Sequence, residues 1–289
     1  MNSNIKSKDI SVVIATLGET SLKLTIESIN NGSFVPKEIL ICIPEEYAKN
    51  LESFSFSNVK ILKTKVRGQV AQRAVGFQTV RFPYVLQMDD DINLDFYCIE
   101  ELLKTTSSSS NVAAGPMLFD HLTKEYHSFL IPVSNKFVLF NKLFYFVANG
   151  KHGYQPGKIS KSGINFGIPE TPSTFHDVDW LCGGCLMHRK ENLILTNYYP
   201  LSGKAYSEDL FHSKLLRDNK VILVRSGEAK CYVDFSSSKG GSWLNIIRNF
   251  SKPIIPMKIF VKSINGSIIR MYLVNFLIIV RLFLIKIFK

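Results

Sequence analysis

The chain has 289 residues, 46% of them apolar, which is enough core for one large α/β domain or two small ones. Net charge is +11, from 35 Lys and Arg against 24 Asp and Glu; Lys239 to Lys289 holds nine of the cations and no acid. A basic and apolar segment fits an anionic membrane surface and argues against a nucleic-acid partner. Five scattered cysteines argue against a disulfide framework, and no apolar run follows Met1 as in a secretory signal.

Residues Asp9 to Thr16 (D-I-S-V-V-I-A-T) are short, β-branched and without helical period, which predicts a buried first strand. Leu17 to Thr20 is a turn, with Thr20 or Ser21 as the cap of a helix that places Leu22, Ile26 and Ile29 on one face and stops at Asn31-Gly32. Lys37 to Ile43 is a second strand ended by Pro44, and Val59 to Leu62 a shorter third. A helix over Val70 to Val80 follows the loop Arg67-Gly68-Gln69. Gly68 permits close backbone approach, the helix start presents free N–H groups, and Arg67 and Arg73 offer forked donors suited to phosphate. An ordinary surface helix stays open at this point. Neither a P-loop nor a dinucleotide fingerprint occurs.

Tyr84 to Met88 predicts the next strand, and it runs straight into Asp89-Asp90-Asp91. Open α/β sheets bind ligands at the carboxyl ends of their strands. Three adjacent carboxylates raise one another's pKa, and oxygen-only ligands suit a hard cation such as Mg²⁺ or Mn²⁺ bridging to phosphate. A solvated acidic turn is the plain alternative. Strands alternating with helices at this spacing imply a parallel sheet, and Asn93 to Phe96 reads as the start of the following helix.

The order I-S-V-V-I-A-T, E-I-L-I-C-I, R-G-Q-V-A-Q-R-A-V-G and V-L-Q-M-D-D-D-I resembles the donor-binding half of a family 2 glycosyltransferase of the GT-A fold. The resemblance covers roughly residues 9 to 250. It implies an α/β, Rossmann-like mixed sheet flanked by helices. The implied domains are a GT-A domain over 1–250, with 9–115 as donor half and 116–250 as acceptor half, and a basic apolar tail over 251–289. Asp89-Asp90-Asp91 matches the D-x-D signature, with Asp89 toward the donor nucleoside and Asp91 on a divalent metal, Mg²⁺ or Mn²⁺. The implied donor-binding set is Ala15, Thr16, Gly18, Glu19, Glu45, Gly68, Arg73, Asp89 and Asp90. The family's second strand ends in an acidic pair at the base; here it ends Ile43-Pro44-Glu45-Glu46, a departure that leaves the base open.

Beyond a helix over Phe96 to Lys104 and a core strand at Val112 to Pro116, Phe137 to Ala148 is aromatic and of helical length, too short to span a bilayer. A core helix and a flap toward lipid are both compatible with it. His152 to Ile168 is glycine-rich, an acceptor lid or plain irregular surface. In Asp177 to Met187, Gly183 and Gly184 resemble the small residues that close a family strand beside the acceptor; Trp180 fits a sugar face or the core equally. Ser207 is a reasonable helix cap ahead of Glu208 and Asp209, which by themselves are helix-start acids. The resemblance implies that Asp209 is the catalytic base, with Glu208 orienting it. Short strands are read at Val221 to Val224 and Ala229 to Phe235. Asp234 stands where the family often has a metal-binding histidine, which joins Asp91 and Asp89 as an implied metal ligand.

A helix begins at Trp243 to Phe250, where Arg248 faces donor phosphate or solvent. Ile254 to Lys289 is apolar with spaced cations. A charge such as Arg281 near mid-bilayer costs about 2.5–3.5 kcal/mol, so helices lying in the membrane interface are expected, with a protein-docking surface as the alternative. The composite expectation is a metal-dependent inverting glycosyltransferase. Its partners are a nucleotide-sugar donor of the UDP type, a glycan or lipid-linked glycan acceptor and an anionic membrane. It would work on the cytoplasmic face of the inner membrane in bacterial surface-polysaccharide synthesis. A sugar-phosphate nucleotidyltransferase and an inactive membrane-docked scaffold remain as alternatives.

Overall fold

A computed structural model of the chain describes residues 9–51, 55–127, 138–151, 153–202, 204–234 and 253–287. The helix start at Trp243 to Phe250, with Arg248, lies outside them. The chain divides into two compact units, Met1–His127 with Glu170–Ser237, and Ser128–Pro169 with Ser238–Lys289. The aromatic segment assigned in sequence to the acceptor half therefore groups with the C-terminal residues.

The first unit is built on one sheet. Its strands are β1 (Ile10–Ala15), β2 (Glu38–Pro44), β3 (Val59–Thr64), β4 (Tyr84–Met88), β5 (Ile92–Leu94), β6 (Val112–Asp120), β7 (Cys185–Arg189) and β8 (Ile222–Val233), in spatial order β3-β2-β1-β4-β7-β6-β8-β5. The helices are α1 (Ser21–Asn30), α2 (Gln69–Thr79), α3 (Cys98–Thr106) and α5 (Glu208–Asp218). Every residue of β1, β2, β4 and β6 is buried. Strands covered on both faces read as unbroken apolar runs, which is why the sequence declared them.

The parallel run extends only through β3, β2, β1 and β4. β7 then runs antiparallel to β4, with Met88 opposite Cys185 and Tyr84 opposite Arg189. An antiparallel neighbour begins where β4 ends. Gly183 and Gly184, expected to close a strand, instead immediately precede β7 and so arrive at the acidic end of β4.

Asn93 and Leu94, expected within the entry to a helix over Asn93 to Phe96, belong with Ile92 to a short strand pairing with β8, Ile92 opposite Val233. The two strands expected after α5 are one, β8, in register with β6 except for a shift between Gly115 and Met117. At that irregularity Gly227 lies against the Pro172 carbonyl, where no Cβ fits. Met88 and Ile92 are four residues apart, at most about 14 Å of chain. Four strand steps in a flat sheet, from β4 to β5, are about 19 Å. The sheet must curl, and Asp89-Asp90-Asp91 is the link that forces it to.

In the second unit, α4 (Val138–Asn149), α6 (Ile254–Ser263) and α7 (Ile268–Ile287) are the helices among the described residues. Phe144, Tyr145, Ala148, Ile164, Phe166 and Val274 form its core. The core reading of the aromatic helix holds for one of its faces.

Gly76 of α2 lies on the sheet: a Cβ there would stand 2.5 Å from Val13 Cγ1 and 2.7 Å from Cys42 Sγ. Both neighbours are fully buried. Overpacking of this kind costs about 1–3 kcal/mol, more than the helix propensity alanine gains. Gly76→Ala should lower the urea midpoint of unfolding, and an unchanged midpoint would show that α2 can lift off the sheet freely.

Candidate active site

The site begins at the carboxyl ends of β1 and β4. The Asp90 carboxylate accepts from the Thr16 hydroxyl, and the same hydroxyl accepts from the Gly18 N–H at 2.8 Å. Gly18 has φ +84°, a conformation that favours glycine and that lets the turn after β1 fold back on Thr16. Thr25 of α1 donates to the Asp90 carbonyl at 3.0 Å. Ala15 is buried at the end of β1, and Glu19 is exposed just beyond it.

Asp89 is held from two directions. Its N–H donates to the Gly184 carbonyl at 2.8 Å, and Gln69 Nε2 donates to its Oδ1 at 2.5 Å. Arg73 Nη2 pairs with the same oxygen, while Arg73 Nη1 donates to Glu208 Oε1 at 2.9 Å. Arg73 is 2% exposed. A guanidinium so buried is tolerated only with its charge neutralised. It is pushed above its ordinary value by the Asp89 and Glu208 carboxylates, which outweigh the opposing effect of burial. The sequence presents Arg73 as a phosphate donor, yet two of its nitrogens are engaged within the protein.

Glu208 Oε2 accepts from Tyr198 at 2.8 Å, so both carboxylate oxygens are fixed. Its neighbour Asp209 is half-buried, and among the described residues its carboxylate accepts from backbone alone, from the Leu210 N–H at 3.0 Å and from its own N–H. Burial first, then the Glu208 charge, and then that of Asp89, push Asp209 up to about 7. Ser207, expected to cap α5 with its side chain, has φ +58° and makes no capping bond. The turn is spent on aiming the two acids.

The glycine pair stands between the acid groups. A Cβ on Gly184 would lie 2.9 Å from Asp89 Oδ2, and one on Gly183 would collide with Glu208 Oε1 and lie 3.5 Å from Asp209 Cβ. Residues 89–91 and 208–209, far apart in the chain, therefore meet across two residues without side chains. Gln87 Nε2 anchors the Gly183 carbonyl at 2.6 Å.

Asp91 has an exposed outer side and makes no side-chain hydrogen bond among the described residues. Partial loss of solvent on its inner side, then the Asp89 and Asp90 charges, push it up to about 6 against the opposing Lys204 charge. Asp90 is also raised, by burial and by Asp89, against the Thr16 bond. The β5–β8 register, continued one residue past Ile92 and Val233, sets Asp234 opposite Asp91. Among the described residues no three His, Cys, Asp or Glu side chains form a metal cage. The donor set is thus an exposed acid between like charges, with a second acid across the strand pair.

Other expected positions fall less close to this centre. Glu45 is exposed at the end of β2. Gly68 precedes α2 with φ +125° and open space where a Cβ would be; its N–H donates to Gln72 Oε1 at 3.1 Å and its carbonyl accepts from the Gln72 N–H at 2.9 Å. Arg67 lies over the Tyr47 ring at 5.1 Å. Trp180 is 5% exposed, so most of its ring faces protein.

Sequence reasoning missed Gln69, Gln72 and Tyr198. Gln72 Nε2 donates to the carbonyls of Thr16 and Cys42 and so ties α2 to the ends of β1 and β2. Glutamines on the α2 face toward an apolar sheet were the available signal. Tyr198, in an irregular segment, gave none. Behind Glu208, His212 stacks on Tyr198 at 5.5 Å with 5° between the planes, and His188 lies 5.4 Å from His212. Burial and the Arg73 charge push His212 down to about 3, so this pair packs as neutral rings.

No protein-family model matches the chain, and no curated protein matches it in sequence. Solved structures do. GalNAc-T7, solved with UDP, GalNAc and Mn²⁺, superposes with a TM-score of 0.56 at 14% identity, over 91% of this chain and 56% of that one. S. aureus TarS 1–349 gives 0.47 at 14% identity, over 78% of this chain and 60% of that one. The chain spans little more than half the length of either. The first likeness shows the fold: a mixed sheet of the glycosyltransferase, GT-A type.

The Arg73 bridge yields a direct test. Removing one partner of a buried ion pair costs about 3–5 kcal/mol, because the other charges stay buried and unpaired. Arg73→Met should destabilise the fold by that order in chemical denaturation, with Arg73→Lys, which keeps charge but not the fork, in between. Equal stability of Met and Arg at this position would show that the bridge contributes nothing.

Proposed function

We propose that the protein is an inverting glycosyltransferase of the family 2 type, moving a sugar from a nucleoside-diphosphate donor to a hydroxyl of a glycan or lipid-linked glycan. The observation that carries the reading is the meeting of two differently disposed acid groups across Gly183 and Gly184. On one side Asp90 and Asp91 stand beside Asp89; on the other Asp209 is pushed to about 7 and, among the described residues, accepts from backbone N–H groups alone. Acid groups whose environments separate their roles mark a site that handles protons and charge. A UDP donor and surface-polysaccharide synthesis are part of the proposal and rest on the resemblance of the D-x-D segment.

The residues divide the work as follows. Asp209, unbridged and poised near neutrality, takes the proton from the acceptor hydroxyl as its oxygen attacks the anomeric carbon. The bond from that carbon to the diphosphate oxygen breaks in the same step, and attack opposite the leaving group inverts the centre. Glu208, held by Arg73 and Tyr198, keeps α5 and hence Asp209 in position. The Gly183–Gly184 backbone leaves room for the reacting sugar beside both. Asp91 and Asp234 would hold a divalent cation, an ion for which a full protein cage is not needed. A cation bound there supplies positive charge for the departing diphosphate. The turn residues Thr16 and Gly18, and the open space beside Gly68, are assigned to the donor nucleotide.

A screen of nucleotide sugars by thermal shift, with and without Mn²⁺, tests the reading. The true donor should raise the melting temperature through mass action, by more with the metal than without it. No stabilisation by any nucleotide sugar would refute donor binding.

Asp209→Asn should lower kcat by about 10²–10⁴-fold and leave donor stabilisation in place. Its raised folded-state pKa means that protonation favours the folded state, so the charged group lowers stability as pH rises from about 4 through 7. The Asn variant should therefore melt higher than the parent at pH 8, with the gain shrinking toward pH 5. The parent's kcat/KM should rise with pH to a plateau above about 7; retention of that limb in the variant would assign the base elsewhere.

A further inference from the structure

The two units differ in charge to an extreme. The second contains fourteen Lys and Arg and no Asp or Glu; the other 21 cations and all 24 acids belong to the first, which is left at −3. Within the second unit, α4 and α7 pack through Phe144, Ala148 and Val274. Arg270 fastens the pair by donating to the Phe146 and Val147 carbonyls at 2.8 and 2.9 Å, where α4 ends.

Each helix has a second apolar face turned outward. On α7, Ile269, Tyr272, Leu273 and Phe276 are 74, 47, 48 and 62% exposed, a stripe at helical spacing. On α4, Leu139, Leu143 and Phe146 repeat the pattern at 83, 50 and 45%. Exposed stripes of this size on adjacent helices mark a docking surface. Lys142 beside Leu143, and Lys258 and Lys262 on α6, are exposed cations of the same unit. Among the described residues no helix is long and apolar enough to cross a bilayer.

We propose that α4 and α7 together form a surface that lies in the interface of an anionic phospholipid bilayer. The apolar stripes enter the acyl boundary, and the lysines meet head-group phosphates. The choice of a lipid surface over a protein partner follows from the charge. A unit without a single acid repels a second copy of itself, while an anionic bilayer complements it everywhere. The aromatic segment 138–149 thereby becomes half of the membrane surface instead of a lid. A location on the cytoplasmic face, whose leaflet carries anionic lipid, belongs to the same proposal. None of this depends on how the acid cluster of the first unit works.

The test is sedimentation of the full chain with phosphatidylcholine vesicles, with and without phosphatidylglycerol. The parent should pellet with the anionic vesicles and much less with the neutral ones. The pairs Leu273→Glu/Phe276→Glu on α7 and Leu143→Glu/Phe146→Glu on α4 should each lower the partition coefficient at least tenfold. Lys258→Glu/Lys262→Glu should weaken only the anionic component. Being exposed, all six positions should leave melting temperature and nucleotide-sugar stabilisation unchanged, which separates failure of this proposal from failure of the enzyme reading. A parent that stays in the supernatant overturns the proposal, as does an α4 pair that binds as tightly as the parent. So would a parent dimer in solution that the glutamate pairs dissolve, or binding of an oligonucleotide that the same pairs abolish.

Discussion

A single buried guanidinium holds the first unit of this molecule in register. Arg73 reaches from α2 to Asp89 after β4 and to Glu208 at the head of α5, two points separated by more than a hundred residues of chain. Burying that charge is unfavourable unless both carboxylates come to it, so the position of α5 against the sheet is fixed by electrostatics as much as by packing. Yet one cation does not balance the neighbourhood. Asp90, Asp91 and Asp209 remain, and all three are displaced upward from the ordinary carboxylate range. An excess of acid of this kind is relieved by proton uptake or by a bound cation.

The sheet topology supplies the geometry that this electrostatic arrangement needs. Because β7 is antiparallel to β4, the residues preceding β7 are delivered to the end of β4, and only glycines tolerate the crowding there. A side chain at either position would displace Glu208 or Asp89. The curl forced by the short link between β4 and β5 then brings β8 beside β5, with Val233 opposite Ile92. The acid cluster is thus assembled from four strand ends and one helix start, each brought there for a separate backbone reason.

The second unit follows a different logic. Its helices bury one apolar face against each other and leave another outside, and its charge has one sign only. A surface helix in water keeps its outward face polar. The arrangement makes physical sense when a second apolar medium with negative charge at its boundary is part of the environment.

Sequence by itself determined the elements whose pattern is local. Continuous β-branched runs gave β1, β2 and β4 within a residue or two, since strands buried on both sides must be apolar throughout. The acid triplet at the end of β4 was legible because chemistry-bearing residues directly after a buried strand have one place to be. Where contacts are distant, the sequence was silent or misleading. Asn93-Leu94 looks like the entry to a helix until β8 pairs with it, and nothing near Arg73 in the chain announces that Glu208 takes one end of it. Tyr198 had no pattern at all. Strand partners, the antiparallel turn of β7 and the ion pair at Arg73 are decided by residues far away in the chain, and only the folded sheet brings them close enough to matter.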